Sequence, residues 1–355
     1  MHIRALAPVA TLLLSAAILL AGQGLQGTLL PVRASLENFS TFAIGSLGAA
    51  YFFGFTVGCL KGGELLRRVG HIRVFLAMSA IASAAPLIHG LVVGPIVWGL
   101  LRFVTGFCLA ALYIVIESWL NERSTNTNRG MVFATYSMIT LTMMAAGQMM
   151  TLLYNPIGLQ LFVITSVLFS IGAVPIALSS ALSPAQPAST ETDIRGLFKV
   201  SPSGTIGCFV VGMANGSFWG LAPVYASAVG DPAKMAAWFM AAAVIGGAIL
   251  QWPLGLLSDA LGRRKILVAV CILGASAGVA LAMLAPHLGF TGIVLLGGAW
   301  GAFAFPMYSI AVAYANDYAD HDEYVKVSAG LLLVYGIGAI IGPFAASALI
   351  TVRGA

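Results

Sequence analysis

The chain has 355 residues, of which 59% are apolar and only 8% are Asp, Glu, Lys or Arg, and its mean hydropathy is +0.97. A soluble domain carries roughly 25% charged residues, so the composition excludes a water-soluble globular protein. The formal charge of +5, spread over short loops, is no nucleic-acid signal.

Apolar runs of about 20 residues, long enough to cross a ~30 Å hydrocarbon core as a helix, recur from end to end. Eleven spans are predicted, centred near Ala17, Tyr51, Ala82, Gly106, Leu141, Ser170, Asn215, Gly246, Ser276, Phe303 and Gly338. The fold class is an all-α membrane protein. The first run follows "MHIR" and continues through Gln23 and Gln26 with no A-x-A site, so it reads as a span and not as a signal peptide. Very short connections such as "VVGP" and "YNPIG" alternate with longer charged ones. The longest soluble connection, Ser183 to Pro202, is rich in Pro, Ser and Thr and reads as a linker. It separates an N-terminal bundle (1–182) from a C-terminal bundle (203–355). An odd number of spans leaves the second bundle one helix short of six.

Basic residues set the expected orientation. With the N-terminus inside, thirteen of the 17 Lys and Arg residues fall on the cytoplasmic side, among them Arg67, Arg68, Arg263, Arg264 and Lys265. Only Arg33, Lys234 and Arg353 fall outside, and Arg102 lies within a span. That bias places the N-terminus in the cytoplasm.

The two halves repeat each other. "YIVIESWLNER" (Tyr113 to Arg123) aligns without gaps on "YSIAVAYANDY" (Tyr308 to Tyr318), matching Tyr113 with Tyr308, Asn121 with Asn316 and Glu122 with Asp317. Gly106 and Gly301 match in the same register, and "RRVGHIR" after span two sits where "DALGRRK" sits after span eight. Repeated bundles joined by a linker are how secondary transporters build a mid-membrane site.

"GLLSDALGRRK" resembles the cytoplasmic loop signature of the major facilitator superfamily, through Gly255, Asp259, Gly262, Arg263, Arg264 and Lys265. Gly255 is expected to permit close helix contact, Gly262 a tight reversal, and Asp259 to accept hydrogen bonds from arginine side chains or a helix N-terminus. "RFVTGFCLAA" on span four, with Arg102 and Gly106, resembles a second superfamily pattern, and Gly338, Gly342 and Pro343 on span eleven a third. Antiporters of the superfamily carry the third on span five, where this chain has Gly147 and Gln148. The ends of spans four and ten further resemble the small YcaD-type bacterial branch. The resemblance implies two pseudo-symmetric six-helix bundles and solute transport without a cofactor. In the first-half loop Arg67 stands where Asp259 sits, so Arg67, Arg68 and Arg73 are set against Asp317, Asp320, Asp322 and Glu323 as a charge-swapped latch.

Arg102 is the one basic residue well inside a span. An unpaired charge there costs roughly 2.5–3.5 kcal/mol even on the lenient insertion scale, so it should face the bundle interior, water or an acceptor. Arg102, Gly106, Tyr113 and Glu117 lie along one helical stripe, with Glu117 ~22 Å from Arg102 at 1.5 Å per residue. Gln23, Gln26, Tyr51, Asn215, Trp219, Tyr308 and Tyr335 are the other mid-span candidates for solute contact, and a neutral, amphipathic or singly anionic solute suits so little charge. Spans one and seven line the cavity in the superfamily, which favours Gln23, Gln26, Asn215 and Trp219.

The cysteines Cys59, Cys108, Cys208 and Cys271 form no CxxC or Cys/His cluster and read as buried packing thiols. Span five carries Met138, Met143, Met144, Met149 and Met150 without His or Cys beside them, so packing is expected and no metal site. No Walker sequence, HExxH or paired acid and base marks an enzyme or an ATP-driven pump. The expected activity is secondary active transport of a small solute, with a proton as the default coupling ion and a monomer in the bilayer. The alternative is a non-transporting sensor or assembly factor on the same scaffold.

Overall fold

A computed structural model describes residues 9–125, 128–178, 194–319 and 324–353. In chain order the helices are α1 (Ala10–Leu36), α2 (Thr41–Val69), α3 (His71–Leu91), α4 (Pro95–Arg123), α5 (Arg129–Met149), α6 (Gln160–Ala177) and α7 (Ile194–Val200). They continue as α8 (Pro202–Ser227), α9 (Pro232–Leu261), α10 (Arg263–Leu284), α11 (Phe290–Ala304), α12 (Pro306–Asn316) and α13 (Tyr324–Arg353). An α-helix bonds its backbone N–H and C=O groups within its own segment, which lipid requires. Among the described residues eleven helical segments have the length and hydropathy to cross a bilayer, with α11 and α12 forming one of them. Each expected centre falls inside one of these eleven.

Helix starts follow local chemistry. Proline stands at or next to the first position of α4, α8, α9 and α12, where its missing N–H would have no partner anyway. Ser201 caps α8 by accepting from the Gly204 amide at 3.3 Å, and Asp231 caps α9 from the Lys234 amide at 2.8 Å. Two elements depart from the sequence expectation. The tenth span is two helices, because Pro306 has no N–H to continue the ladder and the chain restarts after Phe305. The expected linker ends in α7, whose Leu197 is buried against Cys208, Ala311, Val327 and Leu331; the part of the linker before Ile194 lies outside the described residues.

The chain forms two compact units. The first takes α1 up to Leu30 and the chain from Phe53 through α6; the second takes Pro31–Phe52 and the chain from α7 onward. Thus the start of α2 groups with the second unit, where Gly48 meets Gly220 and Gly45 lies beside Pro343 and Ser347.

Within the first unit, α1 crosses α5 where a Cβ at Gly24 would overlap the Met144 carbonyl and one at Gly147 the Ala21 carbonyl. In the second, α8 crosses α13 the same way, with Gly212 on the Tyr335 carbonyl and Gly338 on that of Phe209. Likewise α2 meets α4 at Gly54 on the Phe103 carbonyl, and α9 meets α11 at Gly246 on the Gly298 carbonyl. Small residues permit this backbone approach where lipid supplies no hydrophobic drive between helices. The Gly54 and Gly246 crossings hold the register that matches Gly70 with Gly262 and Tyr113 with Tyr308. The two bundles are therefore pseudo-symmetric in their helix contacts as well as in sequence.

One difference between them concerns α10. Only 17% of its most apolar stretch is buried, against 44% for its counterpart α3. The cause is that α3 packs on both α4 and α6, while no described helix occupies the place of α6 beside α10.

Candidate functional site

In the first unit, α1 and α4 meet through a polar contact at mid-span. Tyr113 Oη donates to Gln23 Oε1 at 2.8 Å, and the Tyr113 ring lies edge-on to Phe55 at 6.1 Å. Both partners are half-buried, as is Arg102 three turns earlier on α4. Gln26, one turn beyond Gln23, is 2% exposed, and its Nε2 has no hydrogen-bond partner among the described residues. Glu117, at the far end of the expected stripe, is exposed. Tyr51, which groups with the second unit, is buried with its ring edge-on to Phe52.

The second unit joins three helices. Asn215 Nδ2 on α8 donates to Tyr335 Oη on α13 at 3.3 Å, and the Tyr335 ring packs 4.8 Å from that of Tyr308 on α12. Trp219, one turn from Asn215, stacks on Phe305 at 5.6 Å, at the break between α11 and α12. Asn215 is 4% exposed and its Oδ1 has no partner among the described residues. Buried polar groups are normally satisfied, and the unmatched atom here is an acceptor.

A third arrangement lies at the corners between consecutive helices. Gly70 and Gly262, each the sole residue between two helices, have φ of 90° and 98°, a region that L side chains rarely adopt. The space around both is open, so backbone conformation alone demands glycine there. After the second corner, Arg263 spans two acids: Nη1 meets Asp259 Oδ1 at 2.9 Å and Nε meets Asp317 Oδ2 at 2.8 Å. This clamp holds the α9–α10 corner to the end of α12. Its members are partly exposed, at 30% for Arg263, 61% for Asp259 and 48% for Asp317, so each pair is worth roughly 0–1 kcal/mol and acts chiefly by fixing geometry. Arg264 is exposed beside it.

Several expectations need correction. Gly255 touches nothing within 4 Å of where a Cβ would lie, so it makes no close helix contact; its side of α9 is open. Cys271 is exposed and Cys59 half-buried, while Cys108 and Cys208 are buried; Cys271 lies on the uncovered side of α10, its Sγ 3.9 Å from Met307 Sδ. Of the groups set against each other as a latch, Arg68 pairs with Glu64 on its own helix and Asp317 pairs with Arg263. Asp320, Asp322 and Glu323 lie outside the described residues.

Sequence reasoning passed over His71. It is 1% exposed, its Nε2 is hydrogen-bonded to Ser118 Oγ at 3.1 Å, and its ring is edge-on to Trp119 at 6.1 Å. The signal was present in the repeat, which aligns His71 with Arg263.

These features have known counterparts. A family model described as Major Facilitator Superfamily matches residues 204–355. Proteins named "Uncharacterized MFS-type transporter YcaD" from Escherichia fergusonii and Escherichia coli O45:K1 are 31% identical over 341 and 344 residues, covering 95% of this chain and 87% of theirs. The chain belongs to the major facilitator superfamily, in its YcaD-type branch.

The superfamily fold is met again in solved structures. The nucleoside transporter NupG aligns with TM-score 0.79 at 13% identity, covering 98% of this chain and 92% of that one. A bacterial homologue of the human lysosomal transporter Spinster, inward-facing and occupied, aligns with TM-score 0.78 at 16% identity, covering 98% and 83%. Membership makes this chain a multi-pass integral membrane protein of a transporter family, whose members are not enzymes as a rule.

Proposed function

We propose that the protein is a secondary active transporter that carries a small solute by alternating access, coupled to protons, with its N-terminus in the cytoplasm. The observation that supports this most is the double occurrence of one helix-crossing pattern, each copy with a polar cluster at mid-span: Gln23 with Tyr113 in one unit, Asn215 with Tyr335 and Tyr308 in the other. Polar groups at bilayer depth are costly and mark solute or ion pathways. Arg102, Gln26, Tyr51 and Trp219 join these as solute-contact candidates, and Glu117, the one carboxylate of α4 short of its last turn, as the candidate proton carrier. The uncharged mid-span groups suit a neutral or singly anionic solute with hydrogen-bonding groups.

The test is a thermal-shift screen of the purified protein against a metabolite library that includes nucleosides, because one structural neighbour is a nucleoside transporter. It is repeated with Tyr113→Phe and Asn215→Leu. Any hit then enters counterflow in proteoliposomes with the labelled compound. A ligand that stabilises the wild type, loses its effect in either variant and exchanges across the bilayer supports the reading. A ligand that binds in this way but never exchanges makes the protein a sensor on a transporter scaffold.

A further inference from the structure

The register shared by the two corners places a different chemistry at one position. In the second unit the residue after the corner glycine is Arg263, a permanent cation between Asp259 and Asp317. In the first unit it is His71, with Arg67 in the place of Asp259 and Glu122 in the place of Asp317. Part of the geometry is kept: the helix break is a single glycine of positive φ, and the side chain that follows reaches the last two turns of the helix that carries the acid, one turn short of the acid itself. His71 makes that reach through Ser118 and Trp119; burial opposes a charge on its ring, and Glu122, one turn beyond Ser118, favours one.

The difference matters because a guanidinium keeps its proton at any physiological pH, whereas an imidazole ordinarily titrates near 6.5. Charged groups of both signs flank the corner. Of the two helices packed on α3, α6 carries no ionisable residue, and α4 supplies Glu122, with Arg123 in the same last turn and Glu117 further in. On α2, Glu64 is paired with Arg68, and Arg67 lies one turn before the corner. Arg73 follows two residues along α3. A buried ring with one hydroxyl partner and one nearby carboxylate can exist in two states. Neutral, it shares a hydrogen bond with Ser118. Protonated, it has both nitrogens as donors and a carboxylate to attract it.

We propose that His71 is a positioning residue that makes the first unit's corner clamp depend on pH. Protonated, it ties the α2–α3 corner to the end of α4 through Glu122, as Arg263 ties the α9–α10 corner to Asp317. Neutral, it rests on Ser118 and Trp119, and the corner is held by packing. One bundle therefore has a fixed clamp and the other a titratable one. Nothing in this clamp depends on the identity of the solute.

The test uses the full chain labelled with 5-fluorotryptophan in lipid nanodiscs, with the Trp119 resonance assigned through Trp119→Phe. Fluorine spectra are recorded from pH 4.5 to 8.5. The Trp119 signal is expected to move through a single titration in the wild type, to sit near the acid limit at every pH in His71→Arg, and near the alkaline limit in His71→Gln. Glu122→Gln should move the midpoint toward acid by about half a unit or more, the loss of one favourable nearby charge. His71→Lys replaces His71→Arg if the larger fork does not fit. The proposal is overturned if the wild-type signal moves no further than that of His71→Gln, if Glu122→Gln leaves the midpoint in place, or if both cationic variants follow the alkaline limit. Because no solute is added, failure here leaves the transport reading untouched, and failure of counterflow leaves the clamp untouched.

Discussion

A single methyl group at Gly246 should separate two helices that the rest of the structure holds in backbone contact. An alanine Cβ there would overlap the Gly298 carbonyl and crowd the Ala302 amide. These are backbone atoms, which cannot rotate aside as a side chain would. Overpacking of this kind costs about 1–3 kcal/mol, while the helix propensity gained on replacing Gly by Ala returns ~0.5–1 kcal/mol. The net for Gly246→Ala is a loss of up to roughly 2.5 kcal/mol, centred on ~1 kcal/mol. Gly255, two and a half turns along the same helix, is the internal control, because nothing lies within 4 Å of a Cβ there. Gly255→Ala should keep the propensity gain and stabilise by ~0.5–1 kcal/mol. Thermal unfolding in detergent, followed by the loss of the monodisperse peak on size exclusion, should therefore move in opposite directions for the two variants. Gly54→Ala, at the matching crossing on Phe103, should behave as Gly246→Ala does. Equal shifts for Gly246→Ala and Gly255→Ala would refute the crossing argument, since only the neighbouring carbonyl distinguishes the sites.

Three further outcomes follow from the polar contacts and the corners. Tyr113→Phe removes the donor to Gln23 and should lower stability by about 1 kcal/mol, seen as a lower melting temperature that Gln23→Leu does not lower further in the double variant. Gly262→Ala should cost about 1–3 kcal/mol from backbone strain alone, although the space around it is open; Gly262→Asn, better suited to positive φ, should recover part of the loss. Arg263→Ala and Asp317→Asn should each change stability by less than about 1 kcal/mol and combine non-additively in a double-mutant cycle, with the coupling fading in 0.5 M salt, whereas Arg264→Ala should show no coupling to Asp317.

The sequence carried much of this architecture without help. Spans could be placed from hydropathy because lipid imposes the same demand on each segment separately: a run of about 20 apolar residues with its backbone bonded internally. The corner glycines were also legible, since a helix that must stop and restart within one residue between charged turns leaves few other choices. Gly70 and Gly262 share a register that the structure repeats at Gly54 and Gly246. The role assigned to Gly255 failed for a different reason. A glycine in a motif does not say which way its helix is turned, and at Gly255 that side is open. Cys271 differs for the same reason: its apolar run predicts burial, yet it is exposed, because apolar residues face outward as readily as inward when the solvent is lipid.

By itself, then, the sequence determined that the protein lives in a membrane, how many times a helix can cross, and that its two halves repeat. Each of these is a property of a segment or of segments compared in line. Tertiary structure alone decided that Tyr113 bonds Gln23 across 90 residues, that Asn215 bonds Tyr335 across 120, and that His71 settles on Ser118 across 47. Those choices depend on how each helix is rotated about its axis and which neighbour it meets, and helical periodicity marks a polar face without naming what that face will touch.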